Sequence, residues 1–385
     1  MTEAIRSTVY IETYGCQMNV SDSELMLGKL EASGYDQVET PEAADVILVN
    51  TCAIREHAEQ RVMGRLGEMK SRMKKDAVLG VTGCMAQRLG PQILKRAGHV
   101  SLVIGPDGYR SLPLLVENAR RGVRASATDF DLEEHYEDFT PRRFDKVKAW
   151  IPVQRGCDYR CTYCIVPTTR GPERSRRLEE VVRETAEVVA AGMSEVVLLG
   201  QTVNSYNDGT HDFADLVRAV GSVAGVRRLR FTSPHPNDFS ERVIDALATT
   251  DTACEHVHLP MQSGSSRVLK RMLRRYTREG YLECVSRLRS AIPGLALTTD
   301  IIVGFPGESE ADFEETLEVV REVGFDDAYT FKFSPREGTP ATRMPESETI
   351  SDEVASDRLA RLIDTVRVGS RKRNLGMLGQ RKEVL

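Results

Sequence analysis

The chain has 385 residues, of which 41% are hydrophobic and 28% charged, and its formal net charge is −5. This composition is typical of a soluble globular protein with two or three domains, and it excludes a protein that coats nucleic acid through overall positive charge. No apolar run is long enough to cross a bilayer, and the N-terminal MTEAIRSTVY carries no apolar signal region. We therefore expect a cytoplasmic protein without a membrane partner, in which the eight cysteines stay reduced.

The first third of the chain alternates between short apolar runs and amphipathic stretches. The predicted strands cover residues 9–13, 45–50, 77–82 and 101–105, and the predicted helices cover 21–34, 54–75, 87–96 and 110–121. A Ser/Asp pair at the start of 21–34 is typical of a helix N-terminus. Strict alternation of strands and helices predicts a Rossmann-like open parallel sheet with helices on both faces, which we place at residues 7–125.

Three cysteines follow three of these strands at equivalent places. Cys16, Cys52 and Cys84 come directly after the first, second and third strands. Ligands of such sheets collect outside the carboxyl ends of the strands, so these residues should converge in space. Three buried cysteines of ordinary core type are the alternative. Their regular placement favours a shared three-cysteine metal cluster with one open iron.

Residues 126–149 are polar with little periodicity, which predicts a linker. A second alternating region follows at 150–375. Its strands are predicted from Trp150 and at 195–200, 227–232, 256–260, 296–304 and 326–333, and its helices at 178–192, 213–225, 240–250, 265–290 and 308–324. Six β units joined by right-handed crossovers predict a partial (β/α)6 TIM barrel with an open side.

Three further cysteines lie in one loop after the first strand of this region. Cys157, Cys161 and Cys164 have the spacing C-x3-C-x2-C. Three thiolates can hold three irons of a [4Fe–4S] cluster and leave the fourth open to a ligand. A structural zinc site would need a fourth ligand, and the next histidine, His211, is distant in sequence. Cys254 lies outside both triplets, as does Cys284, and we expect both to be structural.

Arginines and lysines are concentrated in three places. Solvated helix faces are the simpler interpretation, and an RNA-facing side is the alternative that their recurrence in an acidic chain favours. The clusters are Arg170, Arg174, Arg176 and Arg177; Arg267, Lys270, Arg271, Arg274, Arg275 and Arg278; and Arg371, Lys372 and Arg373.

Several segments together resemble one known family. They are TYGCQMN, NTCAIRE, GCMAQR, RGCDYRCTYCIVPTTRGPERSR, LLGQTVNSY, HLPMQSGSSRVLKRMLRRYT, DIIVGFPGE and FSPREGTPA. From about Val9 to its end the chain resembles the radical S-adenosylmethionine (SAM) methylthiotransferases. It is most similar to the branch that acts on isopentenylated adenosine in tRNA. The branches that act on threonylcarbamoyl-adenosine in tRNA or on a ribosomal protein usually differ around the first two cysteines. Thr168 and Thr202 depart from the branch pattern without removing a cluster ligand.

The resemblance implies a transferase that methylthiolates carbon 2 of N6-dimethylallyladenosine next to the anticodon of tRNA. It implies two [4Fe–4S] clusters, one on Cys16, Cys52 and Cys84 and one on Cys157, Cys161 and Cys164. Two SAM molecules would take part, one as the source of a 5′-deoxyadenosyl radical and one as the methyl donor. A radical is needed because no side-chain acid or base removes an aromatic hydrogen at neutral pH.

Further expectations follow from strand ends and from the family. The expected SAM contacts are Gly200, Gln201, Asn204, Asp300, Gly304 and Glu308, although glycines at strand ends can simply form turns. The implied partners are the tRNA anticodon loop, an electron donor such as flavodoxin or ferredoxin, and a sulfur source, with the protein a monomer. Residues 376–385 resemble the lead-in to the family's TRAM β-barrel, which this sequence does not include. A non-catalytic metal- or RNA-binding protein is the alternative of another class.

Overall fold

The structure, a computed structural model, describes residues 6–53, 56–136 and 138–381, with backbone only for 56–60. Its contacts divide the chain into two compact units. The N-terminal unit contains the described residues up to Lys146 together with Arg155–Asp158 and Ile165–Arg174. The C-terminal unit contains Val147–Gln154, Tyr159–Cys164 and the described residues from Ser175 onwards.

The N-terminal unit is built on a six-stranded parallel sheet. Its strands are β1 (Ser7–Tyr14), β2 (Tyr35–Gln37), β3 (Val46–Thr51), β4 (Val78–Gly83), β5 (Leu102–Ile104) and β6 (Ala125–Ala127). Its helices are α1 (Gln17–Ala32), α2 (Glu56–Arg72), α3 (Cys84–Arg96), α4 (Leu112–Arg120) and the short α5 (Val166–Arg170). The strand order is β2-β1-β3-β4-β5-β6, which confirms the predicted open parallel sheet.

Helices cover both faces of this sheet because its central strands are apolar on both sides. Val46 and Leu48 of β3 point to a core shared with α1 and α4, whereas Ile47 and Val49 point to a core shared with α2 and α3. The alternation follows from the two-residue period of a strand. The sheet is therefore fixed from both faces, and its carboxyl edge is positioned rigidly.

The start of one helix and the number of strands differ from the prediction in this unit. Helix α1 begins at Gln17, with Cys16 as its N-cap, rather than at the Ser/Asp pair. Ser21 and Asp22 are instead buried on the helix. The sequence pattern did not reveal β2 and β6, because each has three residues and a polar or small composition. Residues 54 and 55 of the predicted second helix lie outside the described residues, as do residues 1–5 of the N-terminal segment.

The described residues of the proposed linker up to Lys146 belong to the N-terminal unit, and 147–149 lead into β7 of the C-terminal unit. Tyr136 is buried and stacks on Tyr109 with ring centroids 6.1 Å apart. The carboxylate of Glu24 accepts a hydrogen bond from Arg143, and the Glu24 carbonyl accepts one from the Arg142 amide. The low periodicity of this segment thus reflects an irregular chain path with specific contacts.

The C-terminal unit contains six parallel strands that alternate with helices. The strands are β7 (Lys148–Pro152), β10 (Glu195–Leu199), β11 (Arg228–Phe231), β12 (His256–His258), β13 (Ala296–Val303) and β14 (Asp327–Lys332). Two-residue strands β8 (Gln154–Arg155) and β9 (Arg174–Ser175) flank the cysteine loop and its continuation in sequence. The helices are α6 (Leu178–Ala190), α7 (Phe213–Gly221), α8 (Glu241–Thr249), α9 (Ser266–Arg271), α10 (Arg278–Ala291), α11 (Glu310–Val323) and α12 (Asp352–Leu375).

These strands form two parallel sets, β11-β10-β7 and β12-β13-β14, around one hydrophobic core, which confirms the predicted partial barrel architecture. Helix α12 was not predicted, because charged residues interrupt its apolar positions. Among the described residues, no helix combines the length and apolarity needed to cross a membrane. Residues 376–381 of the proposed lead-in form no strand, and 382–385 lie outside the described residues.

Candidate metal centres

The first cysteine triplet lies along one edge of the N-terminal sheet. Tyr14 at the end of β1 pairs with Thr51 at the end of β3, and Thr51 pairs with Gly83 at the end of β4. Cys16, Cys52 and Cys84 follow these three residues by two, one and one positions. Neighbouring strands are about 4.8 Å apart, so the register alone brings the three thiols to one place. The predicted convergence of the triplet is therefore a direct result of strand pairing.

Two glycines allow the strand ends to approach this closely. Gly15 has φ +143°, and a Cβ there would lie 2.7 Å from the Cβ of Cys52. Gly83 has φ +89°, and a Cβ there would lie 2.5 Å from the carbonyl oxygen of Thr51. A larger residue at either position would force the cysteine loops apart.

A buried pair of amides joins the first two cysteine loops. The Asn19 Oδ1 accepts hydrogen bonds from the amide of Cys16 (3.3 Å) and from its thiol (3.5 Å), and Asn19 Nδ2 donates to Asn50 Oδ1 (3.2 Å). In return, Asn50 Nδ2 donates to the Asn19 carbonyl (2.7 Å) and to Ser23 Oγ (2.8 Å). Both asparagines are fully buried. Neither asparagine was predicted to belong to the site, although each lies within a cysteine motif, in CQMN and NTC.

The surroundings lower the pKa of the Cys16 thiol and raise that of the Cys84 thiol. Cys16 caps α1 and Cys84 is the first residue of α3, so both lie at the positive ends of helix dipoles. A hydrogen bond with Cys52 lowers the pKa of the Cys16 thiol to about 6, burial opposes the shift, and the charge of Arg170 adds to it. Burial raises the pKa of Cys84, and Arg170 opposes this effect. Arg170 Nε donates a hydrogen bond to the Cys84 sulfur at 3.2 Å.

Three thiols are the donor set of a [4Fe–4S] cluster that keeps one iron open. Within the described parts of the chain, no three His, Cys, Asp or Glu side chains are placed to hold one metal ion. A cubane cluster binds each thiolate through a different iron, so its ligands line a rim instead of meeting at one point. Three thiols at one sheet edge, beside a buried cation, match that requirement.

The second triplet lies in the loop after β8. The Cys157 amide donates to the Gly171 carbonyl at 3.2 Å within the N-terminal unit. In the C-terminal unit, the Cys164 amide donates to the Cys161 carbonyl at 3.0 Å. Thr162 lies between Cys161 and Cys164 in sequence. Its amide donates to the Met272 carbonyl (3.0 Å), and its carbonyl accepts from the Ala341 amide (2.8 Å). Backbone bonds on both sides of Thr162 thus fix the loop that carries Cys161 and Cys164.

Aromatic and basic side chains surround this part of the loop. Tyr159 stacks on His235 with ring centroids 3.8 Å apart, and its hydroxyl donates to the Asp238 carboxylate at 2.9 Å. Burial, with the charges of Arg274 and Arg275, lowers the pKa of His235 to about 2, so its ring is neutral at physiological pH. Arg274 Nη1 donates to the Cys161 sulfur at 3.4 Å.

Three expected SAM contacts lie after β10. Gly200 and Asn204 are buried, and the Gln201 amide donates to Gln154 Oε1 at 2.8 Å. The Asn204 side chain donates to the His235 carbonyl (2.9 Å) and accepts from the His235 amide (2.7 Å). Asn204 therefore fixes the main chain of His235, a structural task that the sequence did not indicate.

The other three expected contacts lie on or after β13. Asp300 Oδ2 lies 3.3 Å from His258 Nε2. Glu308 Oε2 accepts from the Gly304 amide at 2.7 Å and from Arg358 of α12 at 2.9 Å. Burial raises the pKa of Glu308, whereas these two donors oppose the shift. Glu308 thus closes the loop after β13 and ties it to α12.

Three of the four arginines that follow the cysteine loop are buried and so do not form an RNA-facing surface, whereas Arg177 is exposed. Arg170, Arg174 and Arg176 are at most 9% exposed and bind carboxylates of their own units. In the second cluster, three residues pair with acidic side chains, and Arg274 contacts Cys161. These three pairs are Arg267–Asp312, Arg271–Glu348 and Arg278–Glu318. The burial of Arg170, Arg174 and Arg176 could not be predicted, because charge runs in a sequence do not show where their counter-charges fold.

Models of two protein families match this chain, one in each unit. The model of uncharacterized protein family UPF0004 matches residues 8–105, and that of the radical SAM superfamily matches residues 151–320. Two solved structures share the fold at low identity. The radical SAM methyltransferase TsrM from Kitasatospora setae, with cobalamin and a [4Fe–4S] cluster bound, has TM-score 0.65 and 14% identity and covers 88% of this chain and 77% of its own. The match to the cobalamin-dependent SAM radical enzyme OxsB has TM-score 0.62 and 12% identity, and it covers 97% of this chain and 61% of the OxsB chain.

The parallel strands, the cysteine loop and the superfamily match define a radical SAM enzyme. Much higher identity links the chain to curated tRNA-2-methylthio-N(6)-dimethylallyladenosine synthases. The one from Solibacter usitatus is 46% identical over 98% of this chain and 85% of its own, and that from Geobacillus kaustophilus is 46% identical over 98% and 72%. The chain belongs to this family of synthases. Membership confirms the predicted enzyme class, a radical SAM methylthiotransferase, and its cofactors, SAM and [4Fe–4S] clusters.

Proposed function

We propose that this protein methylthiolates carbon 2 of N6-dimethylallyladenosine next to the anticodon in tRNA. The observation that carries the proposal is the convergence of Cys16, Cys52 and Cys84 at one sheet edge, in a chain that also has the C-x3-C-x2-C loop. A single triplet suffices to generate a radical, so a second one requires a further task. Family membership supports sulfur transfer as that task.

In this proposal each triplet holds one [4Fe–4S] cluster through three irons. When bound, the cluster on Cys157, Cys161 and Cys164 supplies the electron that cleaves SAM, and the other cluster supplies sulfur that a second SAM methylates. The chain's own residues orient these groups. Backbone bonds at Thr162 fix the radical-forming loop.

For SAM we retain the expected contacts at Gly200, Gln201, Asn204, Asp300, Gly304 and Glu308. These residues differ in whether their side chains are free to contact a ligand directly. Asn204 and Glu308 are already committed to internal bonds, so they act by shaping the pocket wall. Asp300 is 29% exposed at its side chain, which leaves it accessible to a ligand.

The proposal also covers the bound part of the tRNA, the electron donor, the sulfur source and the oligomeric state. We infer that the base is reached in the anticodon loop, where single-stranded RNA can be unstacked and held by aromatic side chains. A flavodoxin or ferredoxin would deliver electrons, and a separate sulfur source would restore the consumed sulfur. A monomer acting in the cytoplasm, where tRNA is modified, completes the proposal.

The deciding experiment is mass spectrometry of tRNA nucleosides from cells that lack the protein. We expect N6-dimethylallyladenosine to accumulate without its 2-methylthio group, and the intact gene to restore the group. Complementation with Cys52→Ala should fail, whereas Cys254→Ala, a matched control outside both triplets, should restore modification. If the methylthio group persists in the deletion strain, the substrate assignment is wrong. If threonylcarbamoyl-adenosine or a ribosomal protein loses the group instead, that alternative replaces it.

A further inference from the structure

A buried arginine from the segment after the second triplet contacts a cysteine of the first. Arg170 is the last residue of α5, six positions after Cys164, and is 3% exposed. Its Nε donates to the sulfur of Cys84 at 3.2 Å. Both residues belong to the N-terminal unit. The sequence motif groups this segment with the second triplet, so it does not predict a contact with a cysteine of the first.

The guanidinium is held in place by a second buried group. Its two terminal nitrogens donate to the Asp22 carboxylate, Nη1 to Oδ1 at 3.2 Å and Nη2 to Oδ2 at 2.5 Å. Asp22 lies on α1, is 1% exposed, and also accepts from the Tyr109 hydroxyl at 3.4 Å. Because Nη1 and Nη2 both bind Asp22, the Nε of Arg170 is directed at the sulfur of Cys84. Lysine cannot reproduce the geometry, because its ammonium lacks a rigid set of donors.

Stability alone does not explain such a pair. A buried ion pair gains little over apolar residues of similar volume, because removing two charges from water offsets their attraction. Here the cation lies on a predicted cluster ligand, at a site where three thiolates accumulate negative charge. Hydrogen bonds to cluster sulfurs are among the features that set cluster potentials.

We propose that Arg170 is a positioning residue of the N-terminal cluster, one that orients the Cys84 thiolate and raises the cluster's reduction potential. The proposal rests on the assignment of a cluster to Cys16, Cys52 and Cys84. A positive group bonded to a ligand sulfur stabilises the reduced cluster, which carries one more negative charge, relative to the oxidised cluster. Asp22 and Tyr109 hold the guanidinium in the orientation that this role requires.

The test uses the full chain with Cys157, Cys161 and Cys164 replaced by alanine, so that only the N-terminal cluster remains after anaerobic reconstitution. Iron content and the midpoint potential of the reduced cluster's paramagnetic signal are measured in this parent and in Arg170→Gln. We expect the variant's reduction equilibrium to fall at least tenfold, which is about 59 mV for one electron. Loss of iron confined to this variant would equally support the positioning role.

A matched control separates this role from general destabilisation. The Arg143 side chain is also only 8% exposed, and it pairs with a different carboxylate of α1, that of Glu24, at 2.9 Å. Arg143→Gln should keep the parent's potential and iron. If Arg170→Gln and Arg143→Gln match each other in both measurements, the proposal is overturned. If the parent binds no iron, the cluster assignment itself fails, and the proposed function with it.

Discussion

Replacing Asn50 by alanine should loosen the sheet edge that carries the first cysteine triplet. The Asn50 side chain makes three buried hydrogen bonds, two donated at 2.7 and 2.8 Å and one accepted at 3.2 Å. Each contributes about 1 kcal/mol, and the partners left behind cannot reach water. The free energy of opening at the end of β3 should therefore fall by about 3 kcal/mol, which corresponds to a roughly 100-fold larger opening equilibrium constant.

Hydrogen exchange of the apo chain measures this opening directly, because amide protection reports local stability. The informative peptide covers residues 46–53, compared between the native chain and Asn50→Ala under exchange conditions limited by the opening equilibrium. Asn118→Ala, a half-buried change on α4 away from the cysteines, serves as the control and should leave this peptide within about 0.5 kcal/mol. Exchange less than threefold faster in Asn50→Ala would refute the view that the amide pair holds the edge together.

Three further predictions concern charge. Asp107→Asn leaves two buried arginines, among them Arg155, without a counter-charge, so urea unfolding should show the N-terminal unit destabilised by about 3–5 kcal/mol. In the apo chain, Cys16 should react with iodoacetamide as a thiolate with half-maximal rate near pH 6, since its pKa is lowered to about 6, and a midpoint above pH 8 would contradict this. Glu308→Gln removes the buried one of the two carboxylates that pair with Arg358, so equilibrium dialysis should show SAM binding about tenfold weaker with iron content unchanged.

The architecture could be predicted well because it depends on periodicity. The strand–helix alternation identified the six strands of the two parallel sets in the C-terminal unit and four of the six strands in the N-terminal sheet. The cysteine triplets were predictable for the same reason, since a residue that follows a parallel strand lies at a known edge. Short edge strands such as β2 and β6 escaped because three residues carry almost no periodic signal.

The polar support of the site could not be predicted from the sequence. Aspartate is typical of helix caps and arginine of protein surfaces. In this fold Asp22 and Arg170 are both buried, and they pair although they are 148 positions apart in sequence. Periodicity records which side chains avoid water, whereas an ion pair depends on which segments meet. The same limitation hid the Asn19–Asn50 pair, which is 31 positions apart in sequence.

The central claim is that the two triplets hold two clusters with different tasks. It is tested most directly by anaerobic turnover of a variant with Cys16, Cys52 and Cys84 replaced by alanine. The substrate is a tRNA anticodon stem-loop that carries N6-dimethylallyladenosine, supplied with SAM and a reductant. We predict about four irons per chain, continued formation of 5′-deoxyadenosine, and no methylthiolated nucleoside. Methylthiolated product from this variant, or iron equal to that of the native chain, would contradict the account.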